Sequence, residues 1–232
     1  TRCPYPILAT LVFGLNVWLP GAATDCSRQV SEPNQLPLVL VQEDAKAGLE
    51  LWQTALGRLW IPTPGYYVMS HLEWEGTVQK VYEHPLAHVR RGDVVVDCGA
   101  HIGFFARLAL RAGAQTVVAV EPERANLRAF RKNLEQEMKR GQVRLVEKGL
   151  WDKTGKLPLH LSRTGDSHSM VVPTNGPGDA AIEVTTLDAV AEDLKLPRVD
   201  FVKMDIEGAE QKALQGARQV LRRWRPRLAI SS

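Results

Sequence analysis

Val94-Val95-Val96-Asp97-Cys98-Gly99-Ala100-His101-Ile102-Gly103 decides the fold. Three valines closing on an acid read as a strand buried on both faces, as in a parallel sheet. Gly99 and Gly103 then mark a loop, and Phe104–Ala112 carries the apolar spacing of a helix. In a doubly wound sheet, ligands bind outside the carboxyl ends of the strands. The loop Gly99, Ala100, Gly103 therefore lies where a cofactor sits. Its glycines allow tight turning and close backbone approach, and Asp97 offers a carboxylate at the strand tip. A dinucleotide loop would need glycines at relative positions one, three and six. Counted from Gly99, those positions hold Gly99, His101 and Phe104, so two of three fail. A pyrophosphate also prefers helix-end amides to a nearby carboxylate. An acid here suits the cationic amino end of S-adenosylmethionine better.

Working outward, strands alternate with helices. Thr116–Glu121 is predicted as a second buried strand, Arg124–Lys139 as a helix and Val143–Glu147 as a third strand. Lys156–Leu161 and Ile182–Thr185 read as additional strands, and Leu187–Leu194 as a helix. Phe201–Asp205 is a fourth main strand, Ala209–Trp224 a helix, and Arg227–Ile230 the start of another strand. Such alternation implies parallel βαβ units. The fold class expected is α/β, a Rossmann-like fold with a mostly parallel twisted sheet and helices on both faces. Glu121 closes the second strand, where a carboxylate with two acceptor oxygens can take ribose hydroxyls. A helix-start acid favoured by the macrodipole is the alternative for it. Asp205 and Glu207 follow the fourth strand, and Glu210 reads as a dipole partner in the next helix.

These segments resemble the FkbM family of methyltransferases. The resemblance is carried by GDVVVDCGAHIGFF (92–105), VVAVEPE (117–123), KGLWD (148–152), TTLDAV (185–190) and VDFVKMDIEGAE (199–210). GRLWIP (57–62) resembles the family's entry segment and RPRLAIS (225–231) its next strand. The resemblance implies S-adenosylmethionine as methyl donor and O-methylation of a hydroxyl on a small molecule or sugar. It assigns Asp97, Gly99 and Gly103 to the cofactor's methionine end, Glu121 to the ribose, and Gly149 and Leu150 to the adenine edge; Ala100, between the two glycines, is a further cofactor-binding candidate. Asp205 and Glu207 fall at the active-site mouth. His101 stands where the family commonly has asparagine. The fold normally closes with an antiparallel hairpin, which a chain stopping at Ser232 is expected to lack.

An alcohol acceptor must lose a proton, so a base must reach it. Asp205 is the first choice, directly or through a metal, and Glu207 the second. His84, His101 and His168 are further candidates, with His101 ranked above the others by its place in the loop. No histidine–carboxylate spacing resembles a dedicated metal motif, and no metal ligand is assigned. A non-catalytic binding domain and, less favoured, an NAD-dependent oxidoreductase are the rival functions.

The flanks and the composition set the remaining bounds. The 232 residues are 44% hydrophobic and 24% charged with net charge +3, too mild to argue for nucleic acid. Arg222, Arg223, Arg225 and Arg227 read as a solvated helix end and loop. Cys3, Cys26 and Cys98 lack the close spacing of a zinc or redox motif. Residues 1–24 are expected to be a signal-like or anchor segment, 25–90 a linker and amino-terminal cap, and 91–232 the methyltransferase domain. Ile7–Leu19 is apolar except for Thr10, Gly14 and Asn16, and small residues Gly21, Ala22 and Ala23 follow. That outlines a secretory signal or a membrane association through residues 7–19, with an apolar core helix as the alternative. S-adenosylmethionine is made inside cells, so the enzyme reading goes with a cytoplasmic or membrane-associated chain. Residues 46–60, with Leu49, Trp52, Leu56 and Leu59 at helical spacing, are expected to form a helix ended by Gly57. Residues 78–90 are expected to be partly helical.

Overall fold

The computed structural model describes residues 38–160 and 179–231. The apolar segment 7–19 and His168 lie outside them. Three strands come first: β1 (Val39–Asp44), β2 (Leu49–Thr54) and β3 (Gly57–Pro62), paired antiparallel in the order β1-β2-β3. The helix expected over 46–60 is therefore a hairpin. Leu49, Glu50, Leu51 and Trp52 are all buried, so β2 lacks the alternation that marks a half-exposed strand. Apolar residues from two strands together imitate a helical spacing. Gly57, with φ of +92°, opens β3 after the turn instead of ending a helix. Thr54 closes that turn: its hydroxyl accepts from the Leu56 N–H at 3.0 Å and donates to the Gly57 carbonyl at 2.7 Å.

Helix α1 (Tyr66–Glu73) runs directly into a π-helical turn, Trp74–Gln79. Of the partly helical stretch expected over 78–90, residues 78–79 belong to that turn, and the rest is irregular chain with one bridge, His84 to Ala87. The alternating region follows: β4 (Val94–Cys98), α2 (Phe104–Arg111), β5 (Thr116–Val120), α3 (Arg124–Asn133), α4 (Glu135–Lys139) and β6 (Val143–Val146). A small sheet holds β7 (Gly149–Leu150), β8 (Gly155–His160) and β9 (Asp179–Thr185) in the order β7-β9-β8. Then come α5 (Leu187–Asp193), β10 (Phe201–Met204), α6 (Glu210–Gln215), α7 (Arg218–Trp224) and β11 (Arg227–Ile230).

The main sheet is wholly parallel, in the order β11-β10-β4-β5-β6. The strand order reverses between β4 and β10, which makes their carboxyl ends the topological switch point. One face of the sheet buries Val96, Val118, Val202 and Met204 with α5 and α7 residues. The other buries Val95, Val117 and Ala119 with Phe105, Phe130 and Leu134. Two predicted helices are interrupted. The 209–224 helix breaks at Gly216 because its backbone packs there against Trp151 and Thr186; a Cβ would lie 2.3 Å from the Trp151 carbonyl oxygen. Asp188 then caps the new start, accepting from the N–H groups of Gln219 at 3.0 Å and Val220 at 2.9 Å. The 124–139 helix breaks at Leu134, which is fully buried. Arg227, read with the solvated basic run, instead pairs with Asp93 at 2.6 Å. Among the described residues no helix is long and apolar enough to cross a membrane.

Candidate active site

The glycine loop hangs from β5. Gly99 N–H and Ala100 N–H both donate to the Val120 carbonyl at 3.0 Å. His101, at φ of +51°, donates its N–H to Glu121 Oε2 at 2.8 Å. Gly99 has φ of +79°, and a Cβ there would lie 2.0 Å from the Asp205 carbonyl oxygen. Only glycine lets the ends of β4 and β10 come this close. Gly103, at φ of +87°, starts α2, and its tight neighbours are Leu134 and Phe130.

Glu121 is 5% exposed. Besides His101, it accepts from Glu123 N–H at 3.0 Å and from the Asn126 side-chain amide at 3.3 Å, both on Oε1. Burial pushes its carboxyl up to about 7 against the pull of these donors. Asp97 is fully buried and faces Lys203 across the β4–β10 pairing. The Lys203 ammonium donates to the Gly99 carbonyl at 2.9 Å and lies 3.5 Å from Asp97 and 3.8 Å from Asp205. Burial alone would depress the lysine, but the two carboxylates hold it above its ordinary value. Burial likewise pushes Asp97 up to about 6. Lys203 is thus a charged tie between the glycine loop and the acid at the end of the fourth strand. A buried charge removed from such a set would leave its partners uncompensated.

These strand ends open on a cavity of about 380 Å³. Gly99, Ala100, His101, Glu121, Gly149, Leu150, Asp205 and Glu207 all line it; Asp97 and Gly103 do not. Tyr67, His71 and Glu75 also line it, spaced four residues apart along α1 and the π-helical turn. His71 stacks on Tyr67 with ring centroids 5.9 Å apart and lies 3.8 Å from Glu75. Burial raises the Glu75 carboxyl and Asp205 adds to the effect, while His71 and Lys203 oppose it. Tyr82 closes the wall beside Phe105, and burial raises its phenol too.

The sequence model for the Methyltransferase FkbM domain matches residues 97–231, more than half of the chain. The chain belongs to the FkbM methyltransferase family. It is 24% identical over 185 residues to Methyltransferase sdnD of Sordaria araneosa, covering 65% of this chain and 71% of that one. It also aligns with the crystal structure of Methyltransferase FkbM from Methylobacillus flagellatus KT at 25% identity and a TM-score of 0.47. That alignment covers 72% of this chain and 43% of the other, so this chain spans less than half of that protein.

In this FkbM domain Glu121 and Asp205 were legible because each directly follows a strand, whereas Asp97, expected at the strand tip, lies inside β4 and is buried beneath the loop. Lys203 was missed, although a lysine inside the four-residue strand FVKM needs a buried partner, and parallel pairing offers Asp97. Asn126, His71, Glu75 and Tyr82 were missed for another reason. They reach the cavity from elements whose placement depends on tertiary packing. Of the histidine candidates, His101 lines the cavity. His84 instead lies exposed, its ring accepting from the Leu86 N–H at 3.3 Å. Among the described residues no three His, Cys, Asp or Glu groups are arranged to hold a metal ion.

Proposed function

We propose that this FkbM methyltransferase uses S-adenosylmethionine and methylates a hydroxyl oxygen of a small molecule or sugar. The carrying observation is Glu121: a buried carboxylate, on the cavity wall, beside a glycine loop at the switch point. Three protein donors already hold that carboxylate, and a ribose hydroxyl would add a further one from the cavity. Asn126, whose side-chain amide donates to Glu121 Oε1 at 3.3 Å, helps hold that carboxylate at the wall. Gly149 and Leu150 would flank the adenine, and the Gly99–Ala100 backbone would border the methionine end. Asp97 would act from beneath the loop, through Lys203 and the Gly99 carbonyl it fixes. Bound there, the sulfonium supplies an electrophilic methyl carbon.

The chain's own task is alignment, exclusion of water and removal of a proton. Asp205 would take the proton from the acceptor hydroxyl, leaving that oxygen's electron pair for the new O–C bond while the methyl–sulfur bond would break and its electron pair would stay on sulfur, giving S-adenosylhomocysteine. Lys203, 3.8 Å away, keeps Asp205 directed at the cavity. Glu207 and His101 stand next in line for the proton, and both line the cavity. Calorimetric titration with S-adenosylmethionine, its demethylated product S-adenosylhomocysteine, and NAD tests the cofactor. Binding of the first two is expected; a response to NAD alone would overturn the assignment. With an acceptor found by screening sugars and hydroxylated metabolites, Asp205→Asn should lower turnover about a hundredfold to ten-thousandfold. Cofactor affinity should change far less.

A further inference from the structure

One wall of the cavity takes no part in the cofactor contacts proposed above, which come from Gly99, Ala100, Glu121, Gly149 and Leu150. It is supplied by α1 and the π-helical turn, ahead of the family match that begins at Asp97. Tyr67, His71 and Glu75 recur every fourth residue, so they share one face of this helical segment, and all three line the cavity. Neighbouring Tyr66 packs its ring on Trp52, with centroids 5.5 Å apart. Tyr67 instead stands 57% exposed, its ring stacked on His71. Trp74 continues the aromatic series, tilted against His71 at 6.1 Å. Glu75 follows on the π-helical turn, a local geometry frequent at functional sites. The side chains of His71 and Glu75 are 47% and 37% exposed, so a ligand in the cavity can reach them.

An aromatic surface beside a carboxyl group suits a ring that is apolar on its face and hydroxylated at its edge. A sugar ring has this form: its C–H groups pack on the aromatic rings, and its hydroxyls donate to the carboxyl oxygens. The charges around the cavity narrow the class. Glu75, Asp205 and Glu207 line it together with Lys148 and Lys203, and among the described residues no arginine does. Lys203 is engaged by the Gly99 carbonyl, Asp97 and Asp205, and Lys148 lies 3.7 Å from Glu183. A carboxylated or phosphorylated acceptor would meet like charges here, with no guanidinium to pair with it. We propose that Tyr67, His71 and Glu75 form the acceptor subsite, and that it takes a sugar ring free of acidic groups. The ring packs on Tyr67 and His71, and Glu75 accepts from a hydroxyl other than the one methylated at Asp205. The inference rests on the methyl-transfer reading above and names the acceptor class within it.

The test is saturation-transfer NMR on the whole chain loaded with S-adenosylhomocysteine. The probes are the methyl glycosides of glucose, galactose and mannose, and methyl glucuronide. At least one neutral glycoside should bind, and methyl glucuronide should bind about tenfold or more weakly than the best of them. Tyr67→Ala, His71→Ala and Glu75→Ala should each weaken that glycoside about tenfold, the worth of one good contact. Calorimetric titration should show S-adenosylhomocysteine affinity held within about twofold in all three variants. No binding of any neutral glycoside, a glucuronide that binds as tightly as the best of them, or unchanged glycoside affinity in any variant would overturn the subsite. If a variant fails to fold, the wild-type comparison of neutral and acidic sugars still decides. A wild-type chain that ignores S-adenosylhomocysteine would refute the cofactor instead, a failure visible before any sugar is added.

Discussion

Burial pushes the Glu121 carboxyl up to about 7. An unfolded glutamate releases its proton near 4.5. The folded chain therefore holds this proton more tightly than the unfolded one. Its stabilising contribution is full below pH 4.5 and fades as pH rises through 7. Between pH 5 and pH 8 that amounts to roughly 2–3 kcal/mol. Glu121→Gln cannot ionise and lacks this dependence. Denaturant unfolding of both proteins at the two pH values should show the variant gaining on wild type by that amount at pH 8. An identical difference at both pH values would mean that Glu121 is not a titrating group. Ribose hydroxyls need the charged acceptor, so cofactor affinity should rise over the same interval in which stability falls. Residues such as Glu121 and Asp205 were legible because an acid directly after an apolar strand falls at the carboxyl-end rim of a parallel sheet, where ligands bind. Lys203 and Asn126 were not, since what each one meets is decided by strand register and helix docking.

Between elements, much of the site's rigidity runs through Asn133 at the end of α3. Its side chain accepts from Trp60 N–H at 2.6 Å and donates to the carbonyls of Trp60 and Ile102, both at 2.8 Å. One amide thus joins β3, α3 and the glycine loop. Asn133→Ala should leave buried backbone groups of Trp60 and Ile102 without partners, at about 1–3 kcal/mol for each group left unsatisfied. It should also weaken cofactor binding, although the residue does not line the cavity. A thermal melt and a titration on the same sample check both effects, and an unchanged melting midpoint would show that β3 holds its place without Asn133. The alternating region was readable element by element because its strands are short, apolar and capped by glycine or acid. The hairpin β2–β3 was not, because a strand buried on both faces loses the period-two signature. Nor was the break between α6 and α7, which comes from Gly216 pressing against Trp151 and from a cap supplied by the distant Asp188.

At the scale of the molecule, the family match begins at Asp97, but the packed body begins earlier. Leu49, Leu59 and Ile61 form one core cluster with Met69, Ile102, Phe104 and Ala129. Arg107 of α2 binds the carbonyls of Leu56 and Arg58. Removing residues 1–24 should leave cofactor binding unchanged. Removing residues 1–62 should cost several kcal/mol, since each buried side chain of this kind is worth about 1.5–3 kcal/mol. Unfolding curves of the two truncations beside the full chain test this; equal midpoints would make the first sheet an accessory and not part of the core. The cavity itself has no local origin. Gly99 and Lys203, joined at 2.9 Å, stand 104 residues apart in the chain. Closing so long a loop is slow compared with forming a helix or a hairpin. The amino-terminal hairpin and the β4–β5–β6 unit together still supply only one side of this crevice. The ability to bind a ligand therefore requires β10 to stand beside β4, a pairing that no local segment of the chain can make for itself.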